Sequence, residues 1–245
     1  MSRIAVLFSL ICVLAAPLRA GAETPVTVFA AASLRGALEE IAAAFPTPLA
    51  LAYGGSGTMA RQVAAGAPAD VVVLASSDWM EWLEAQGRLS AAPQVIARNR
   101  LVLIAPEGAA PLSEGEISAR LGDNGRLAMG QREAVPAGVY AQQWMQQAGL
   151  WDGLQSRLAE TDNVRAALAL VARGDAPLGV VYASDAQAEP EVRVVLEISD
   201  DTHDPITYPA AALTAKGTAL VDFLLTDAAQ AILVDHGFLK ADHGS

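Results

Sequence analysis

The sequence predicts an α/β protein built on two mostly parallel sheets, and three observations carry that reading. Strand-like apolar runs alternate along the chain with segments of helical periodicity, the pattern of successive βαβ units. Runs such as residues 70–75 (DVVVLA) are almost continuously apolar, as strands buried on both faces of a parallel sheet require. The chain has 245 residues, long enough for two such sheets with their helices.

Each element follows from its local pattern. Residues 25–30 (PVTVFA) are rich in β-branched side chains and read as the first strand. Residues 33–45 follow as an amphipathic helix, with Leu34, Leu38, Ile41, Ala42 and Phe45 at helical spacing and Ser33 as its N-cap. Residues 49–53 read as a strand and 56–65 as a helix closed by Gly66. After the strand at 70–75 comes a helix at 78–86, with Trp79, Trp82 and Leu83 on one side and Gly87 as its stop. Residues 100–105 (RLVLIA) form another buried strand, ended by Pro106 and Gly108. Residues 111–124 read as helix and loop, and 127–130 as a short strand. A helix at 136–148 carries Pro136 in its first turn, where the missing N–H costs nothing. A helix at 163–172 ends at Gly174; strands follow at 178–182, at 192–198 and at 206–213, the last interrupted by Pro209. Residues 219–236 form the closing helical region. No repeat or Pro/Ser linker divides the chain, so it is expected to cross between the sheets inside strands, near 100–106 and 205–213.

Composition narrows the function. The chain is 53% hydrophobic and 18% charged, which excludes a disordered chain. Its formal net charge of −11 argues against nucleic acid and anionic membrane surfaces as partners. Arg3, an apolar run at 4–16 and Ala20-Gly21-Ala22 read as a secretory signal peptide cut after Ala22, and hence as export to a bacterial periplasm. The apolar run is too short to span a bilayer. Cleavage removes Arg3 and Arg19, making the charge more negative by two, and removes Cys12, the only cysteine. Ile11 before Cys12 does not suit a lipoprotein signal. The remaining chain has no disulfide, zinc–thiolate site or thiol nucleophile.

Catalytic patterns are few. Gly54-Gly55-Ser56-Gly57-Thr58 resembles a nucleophile elbow, but Thr58 stands at the final Gly position. A hydrolase also needs a base, and His203, His236 and His243 read as solvated surface histidines. The cluster Asp200-Asp201-Thr202-His203-Asp204 reads as an acidic loop, not a metal site. No phosphate-binding P-loop is present, and the four Trp read as packing residues. More informative are four helix starts with small or neutral residues: Ala32-Ser33, Gly55-Ser56-Gly57, Val135-Pro136-Ala137-Gly138 and Asp162-Asn163-Val164. Helix N-termini present free N–H groups and about half a positive charge each, so four together offset about two negative charges without any Lys or Arg.

These residues carry a resemblance. Val26–Leu34 (VTVFAAASL), Ser56–Ser76 (SGTMARQVAAGAPADVVVLAS), GRLAMG at 125–130, VPAGVYA at 135–141, NVRAALALVARGDAPLGVVYASDA at 163–186, and YPAAAL at 208–213 with a terminal HGF are similar to the molybdate-binding periplasmic proteins of ABC transporters, over nearly the whole exported chain. The resemblance implies a two-domain periplasmic binding protein fold of type II with the ligand in the cleft, the domains being 23–103 with 206–245, and 104–205. It implies molybdate or tungstate as ligand, no cofactor, no enzymatic activity, a membrane permease as partner and a monomer. Carried over position by position, the oxyanion ligands are Ser33 and Ser56 through hydroxyl and backbone N–H, Ala137 and Val164 through backbone N–H, and Tyr182 through its phenol; the metal atom has no direct protein ligand. The chain departs from the family where Gly55-Ser56-Gly57 replaces a frequent run of three Ser, and where Gly130-Gln131-Arg132 replaces a frequent Gly-Asp-Pro.

Every group carried over can donate a hydrogen bond and none is a carboxylate. Such a site suits a fully deprotonated dianion and disfavours hydrogen phosphate, whose proton needs an acceptor. Sulfate differs from molybdate only in size. The rival readings are a receptor for sulfate or another tetrahedral oxyanion, and a serine hydrolase using Ser56.

Overall fold

Valine- and alanine-rich runs form the centres of two five-stranded sheets in the computed structural model, which describes residues 24–241; the expected signal peptide with Cys12, and His243, lie outside them. The first sheet holds β1 (Val26–Ala31), β2 (Leu49–Gly54), β3 (Val71–Val73), β4 (Gln94–Arg98) and β10 (Thr207–Ala212), in the order β2-β1-β3-β10-β4. The second holds β5 (Leu101–Pro106), β6 (Leu127–Gly130), β7 (Leu158–Thr161), β8 (Leu178–Tyr182) and β9 (Val192–Glu197), in the order β7-β6-β8-β5-β9.

Both sheets are mixed. β1 runs parallel to β2 and β3, while β10 is antiparallel to β3 and β4. In the same way β6 is parallel to β7 and β8, while β5 is antiparallel to β8 and β9. The reason is the route of the chain. It passes to the second sheet between Arg98 and Leu101 and returns between Glu197 and Thr207. A strand arriving from the other half starts where the parallel strands finish, so β5 and β10 run against them.

The helices are α1 (Arg35–Ala44), α2 (Ser56–Ala64), α3 (Ser77–Ala85), α4 (Ile117–Leu121), α5 (Pro136–Gln147), α6 (Trp151–Leu154), α7 (Val164–Ala172), α8 (Ala183–Gln187), α9 (Thr218–Leu224) and α10 (Asp227–Asp235). They cover both faces of the first sheet. Val71 and Val73 of β3 join the cluster that holds Leu38, Ile41, Leu220 and Leu224, while Val72 and Leu74 join Met59, Val63, Met80 and Leu83 on the other face. The three β3 residues and Leu74 after them are fully buried, which is why this run lacks polar alternation.

Several details depart from the sequence reading. A 3-10 turn at Ala32–Leu34 precedes α1, so Leu34, not Ser33, occupies the N-cap position. β4, β7, α6 and α8 have no counterpart among the elements read from sequence. Residues 206–213 hold a strand that continues through Pro209, because the register shifts between Tyr208 and Pro209 and absorbs the missing N–H. The closing region is two helices bent by 66°, with the Thr226 hydroxyl accepting from the Ala229 N–H to start the second.

Candidate functional site

The parallel strands of both sheets end facing one another, and the chain leaves each through a tight turn into a helix. β1 leads into the 3-10 turn with Ser33, and β2 through Gly55 into α2. β6 leads through residues 131–135 into α5, β7 through Asp162-Asn163 into α7, and β8 ends on Tyr182. These ends enclose a small, tight cavity. Ser33, Ser56, Ala137, Val164 and Tyr182 all line it, together with Ala75 and Val135, and no charged side chain does.

Each donor is set by its local bonds. Ser56 opens α2 and is 1% exposed; its Oγ accepts the Ala75 N–H at 2.9 Å, which leaves its own proton to donate. Ser33 Oγ lies 3.0 Å from the Tyr208 hydroxyl, and both are buried. Pro136 takes the first position of α5 and has no N–H, so Ala137 presents the first one of that helix. At α7 the Asn163 side chain caps the Ala166 N–H at 3.0 Å, and the Val164 N–H at the first position has no helical partner.

Tyr182 differs from the rest. It is 1% exposed and its hydroxyl has no hydrogen-bond partner in the structure. Burial, then the neighbouring Tyr208, Tyr140 and Asp185, pushes its ionisation well above the usual tyrosine value, so it stays a proton donor. Its backbone N–H donates to Asp185 Oδ2 at 3.3 Å, and Asp185 Oδ1 pairs with Arg165 Nε at 2.6 Å. Burial raises Asp185 to about 6 against the pull of Arg165.

Contacts across the cavity hold the two halves together. The Gly57 N–H donates to Ala134 O at 3.1 Å, the Tyr140 hydroxyl to Ala75 O at 3.4 Å, and Arg165 Nη2 to Ser33 O at 3.4 Å. The glycines flanking Ser56 make this approach possible. A Cβ at Gly55 would lie 2.5 Å from Asp162 O, and one at Gly57 2.6 Å from Ala134 O and from the Trp79 ring. Arg132, the other departure, is absorbed elsewhere: its guanidinium pairs with Glu160 at 3.0 Å, lies over the Trp151 ring and does not line the cavity.

The remaining candidates lie away from it. The acidic loop contains a 3-10 turn at Asp200–Thr202, and the Asp204 carboxylate accepts from Gln143 at 2.7 Å. Among the described residues no three His, Cys, Asp or Glu side chains group as a metal site would need. His203 and His236 are not merely solvated. His203 Nδ1 lies 2.8 Å from Asp204 O with its ring against Tyr140, and His236 Nε2 lies 2.8 Å from Glu40. Neither reaches Ser56, and no His, Asp or Glu lines the cavity. Asn99, Ser184 and Tyr208, whose polar groups converge behind Ser33, receive no role from the sequence pattern; Ser33 and Tyr208 are 175 residues apart.

Known proteins resemble this arrangement. A family model described as bacterial extracellular solute-binding protein matches residues 26–239. The molybdate-binding protein ModA of Escherichia coli is 39% identical over 230 residues, covering 88% of this chain and 89% of that protein. ModA of Haemophilus influenzae is 38% identical over 231 residues, covering 89% and 91%. The structure of the Azotobacter vinelandii periplasmic molybdate-binding protein superposes with a TM-score of 0.78 at 24% identity, covering 89% of this chain and all of that one, which shows the shared two-sheet fold. The chain belongs to the bacterial extracellular solute-binding proteins and, within them, to the family of the molybdate-binding protein ModA.

Proposed function

We propose that this protein captures molybdate, and tungstate with it, in the cavity between its two sheets and delivers it to the membrane permease of an ABC transporter. One observation carries the reading: five donors, drawn from both halves, converge on an uncharged cavity that offers no carboxylate. Ser33 and Ser56 supply hydroxyls and backbone N–H groups, Ala137 and Val164 backbone N–H groups, and Tyr182 the hydroxyl that has no protein partner. A buried O–H without a partner costs about 1–3 kcal/mol, so a ligand that accepts from it recovers that loss. The helix starts supply the balancing positive potential, each about half a charge. A dianion with four acceptor oxygens fits this set. Hydrogen phosphate is disfavoured by its proton, and sulfate is separated only by its shorter bonds.

In this reading the protein is a non-enzymatic periplasmic monomer without a cofactor, exported by a signal peptide cut after Ala22. The two sheets are the cores of the two domains, which close about the two crossings; because β5 lies whole in the second sheet, the first boundary falls between Arg98 and Leu101 and not between 103 and 104 as the resemblance implies. Calorimetric titration of residues 23–245 with molybdate, repeated in excess sulfate, tests the proposal. One-to-one binding that survives sulfate supports it. Loss of binding in sulfate identifies a general oxyanion receptor, and no heat at all removes the ligand assignment.

A further inference from the structure

The hydroxyl pair Ser33–Tyr208, taken alone, can run in either direction, and the direction matters. If Ser33 donated to Tyr208, it would offer the cavity only lone pairs, which repel an anion. The surroundings fix the direction. The Arg100 backbone N–H donates to Asn99 Oδ1 at 2.9 Å. A backbone N–H cannot reverse, so the Asn99 amide nitrogen faces the other way. That nitrogen donates to Ser184 Oγ at 2.8 Å and to Tyr208 Oη at 3.3 Å. Asn99, Ser184, Tyr208 and Ser33 are all buried, at 5%, 1%, 0% and 2% exposure, so no water relieves an unpaired proton. With its oxygen receiving from Asn99, the Tyr208 phenol has one acceptor in reach, Ser33 Oγ at 3.0 Å.

We propose that Asn99 and Tyr208 are positioning residues: a chain of bonds from the Arg100 N–H through Asn99 and Tyr208 to Ser33 keeps the Ser33 proton free for the bound oxyanion. The inference rests on the molybdate reading of the cavity. It also places the chain at the two crossings, since Asn99 lies between β4 and β5 and Tyr208 on β10, just after the return.

Three variants, titrated with molybdate, test it. Asn99→Asp puts an acceptor where the amide donated. Tyr208 then donates to the new carboxylate, accepts from Ser33 and consumes the Ser33 proton. Affinity should fall about tenfold or more. Tyr208→Phe removes the donor to Ser33 Oγ and with it the one protein group that could accept the Ser33 proton, so that proton stays free and affinity should stay within about threefold of the unmodified protein. The double variant Asn99→Asp/Tyr208→Phe should bind more tightly than Asn99→Asp alone, since only the like-charge repulsion remains. Loss of packing alone predicts the opposite, a double variant weaker than either single one. Undiminished binding by Asn99→Asp, or no recovery in the double variant, overturns the proposal. If Asn99→Asp does not fold, Tyr208→Phe decides alone. A loss as large as that of Ser33→Ala, or a gain beyond about threefold, overturns the chain's direction. An unmodified protein that binds no molybdate overturns the cavity reading instead.

Discussion

The two halves of the molecule share one topology and fill the same places with different chemistry. β1 corresponds to β6, β2 to β7, β3 to β8, and the entering strands β10 and β5 correspond likewise. After β1 stands Ser33 and after β6 Ala137; after β2 stands Ser56 and after β7 Val164. Beyond β3 lies Ala75, where β8 ends on Tyr182. The first half therefore contributes side-chain hydroxyls already engaged within the protein, Ser56 with Ala75 and Ser33 with Tyr208. The second half contributes backbone N–H groups and one hydroxyl with no engagement. The lesson is that equal positions around a ligand need not be equal in the fold. A donor that is also an internal acceptor serves stability and binding together, whereas an orphan donor serves binding alone.

The largest expected effect tests the first case. Ser56→Ala should weaken molybdate binding by about 10- to 100-fold, the worth of a hydrogen bond to a charged group. It should also lower the melting temperature without ligand, because the buried Ala75 N–H loses its acceptor. Tyr182→Phe should cost a similar factor in affinity, yet leave the ligand-free melting temperature unchanged or slightly raised, since it deletes a buried hydroxyl that bonds to nothing. Calorimetry and thermal melts on the two variants decide the matter. If Tyr182→Phe melts as early as Ser56→Ala, the contrast between the halves fails.

A smaller effect concerns how the halves meet. Gly57→Ala inserts a methyl 2.6 Å from Ala134 O and the Trp79 ring, both across or beside the closing surface. Overpacking of this kind costs about 1–3 kcal/mol. Since the contact to Ala134 joins the two halves, the cost should appear as roughly 5- to 100-fold weaker binding. Affinity unchanged by Gly57→Ala would mean that the halves bind ligand without this approach.

How much of this the sequence reveals depends on distance along the chain. Central strands such as β3, β6 and β8 are legible because burial on both faces forces continuous apolar runs. β4 (QVIAR) and β7 (LAET) are not, because each is a short edge strand with only two or three apolar residues between polar ones, whereas the edge strands β2 (LALAYG) and β9 (VRVVLE) carry longer apolar patterns. The helix starts at Ser56, Ala137 and Val164 are visible as small residues after a strand. The role of Tyr182 comes only through resemblance, because nothing local distinguishes it from a buried strand tyrosine. Asn99 and Tyr208 stay hidden, since their meaning arises only when segments more than a hundred residues apart meet.

Backbone donors give the next contrast. Val164→Ala removes buried methyl groups but leaves the N–H in place. Affinity should stay within about threefold, while stability falls by about 1–3 kcal/mol from lost burial. The reverse result, a loss of affinity at constant stability, would show that the side chain and not the main chain serves the ligand.

The smallest effect separates the halves by pH. Asp70, just before β3, accepts from the Thr27 N–H at 2.9 Å, the Thr214 hydroxyl at 2.8 Å and the Lys216 ammonium at 3.0 Å. Burial acts to raise its ionisation, but these donors outweigh it and hold the carboxyl below its ordinary 3.8. A carboxyl lowered in the folded state contributes stability above its unfolded value, and that contribution is lost as pH falls through the folded one. The residue before β8 in the second half is Pro177, which carries no such carboxylate. Acidification below about pH 4 should therefore loosen the first sheet before the second. Hydrogen exchange at β1 and β3, compared with β6 and β8, reads this directly. Asp70→Asn should lower stability at neutral pH and erase the difference in acid, because the amide keeps the shape of the clamp but no longer titrates.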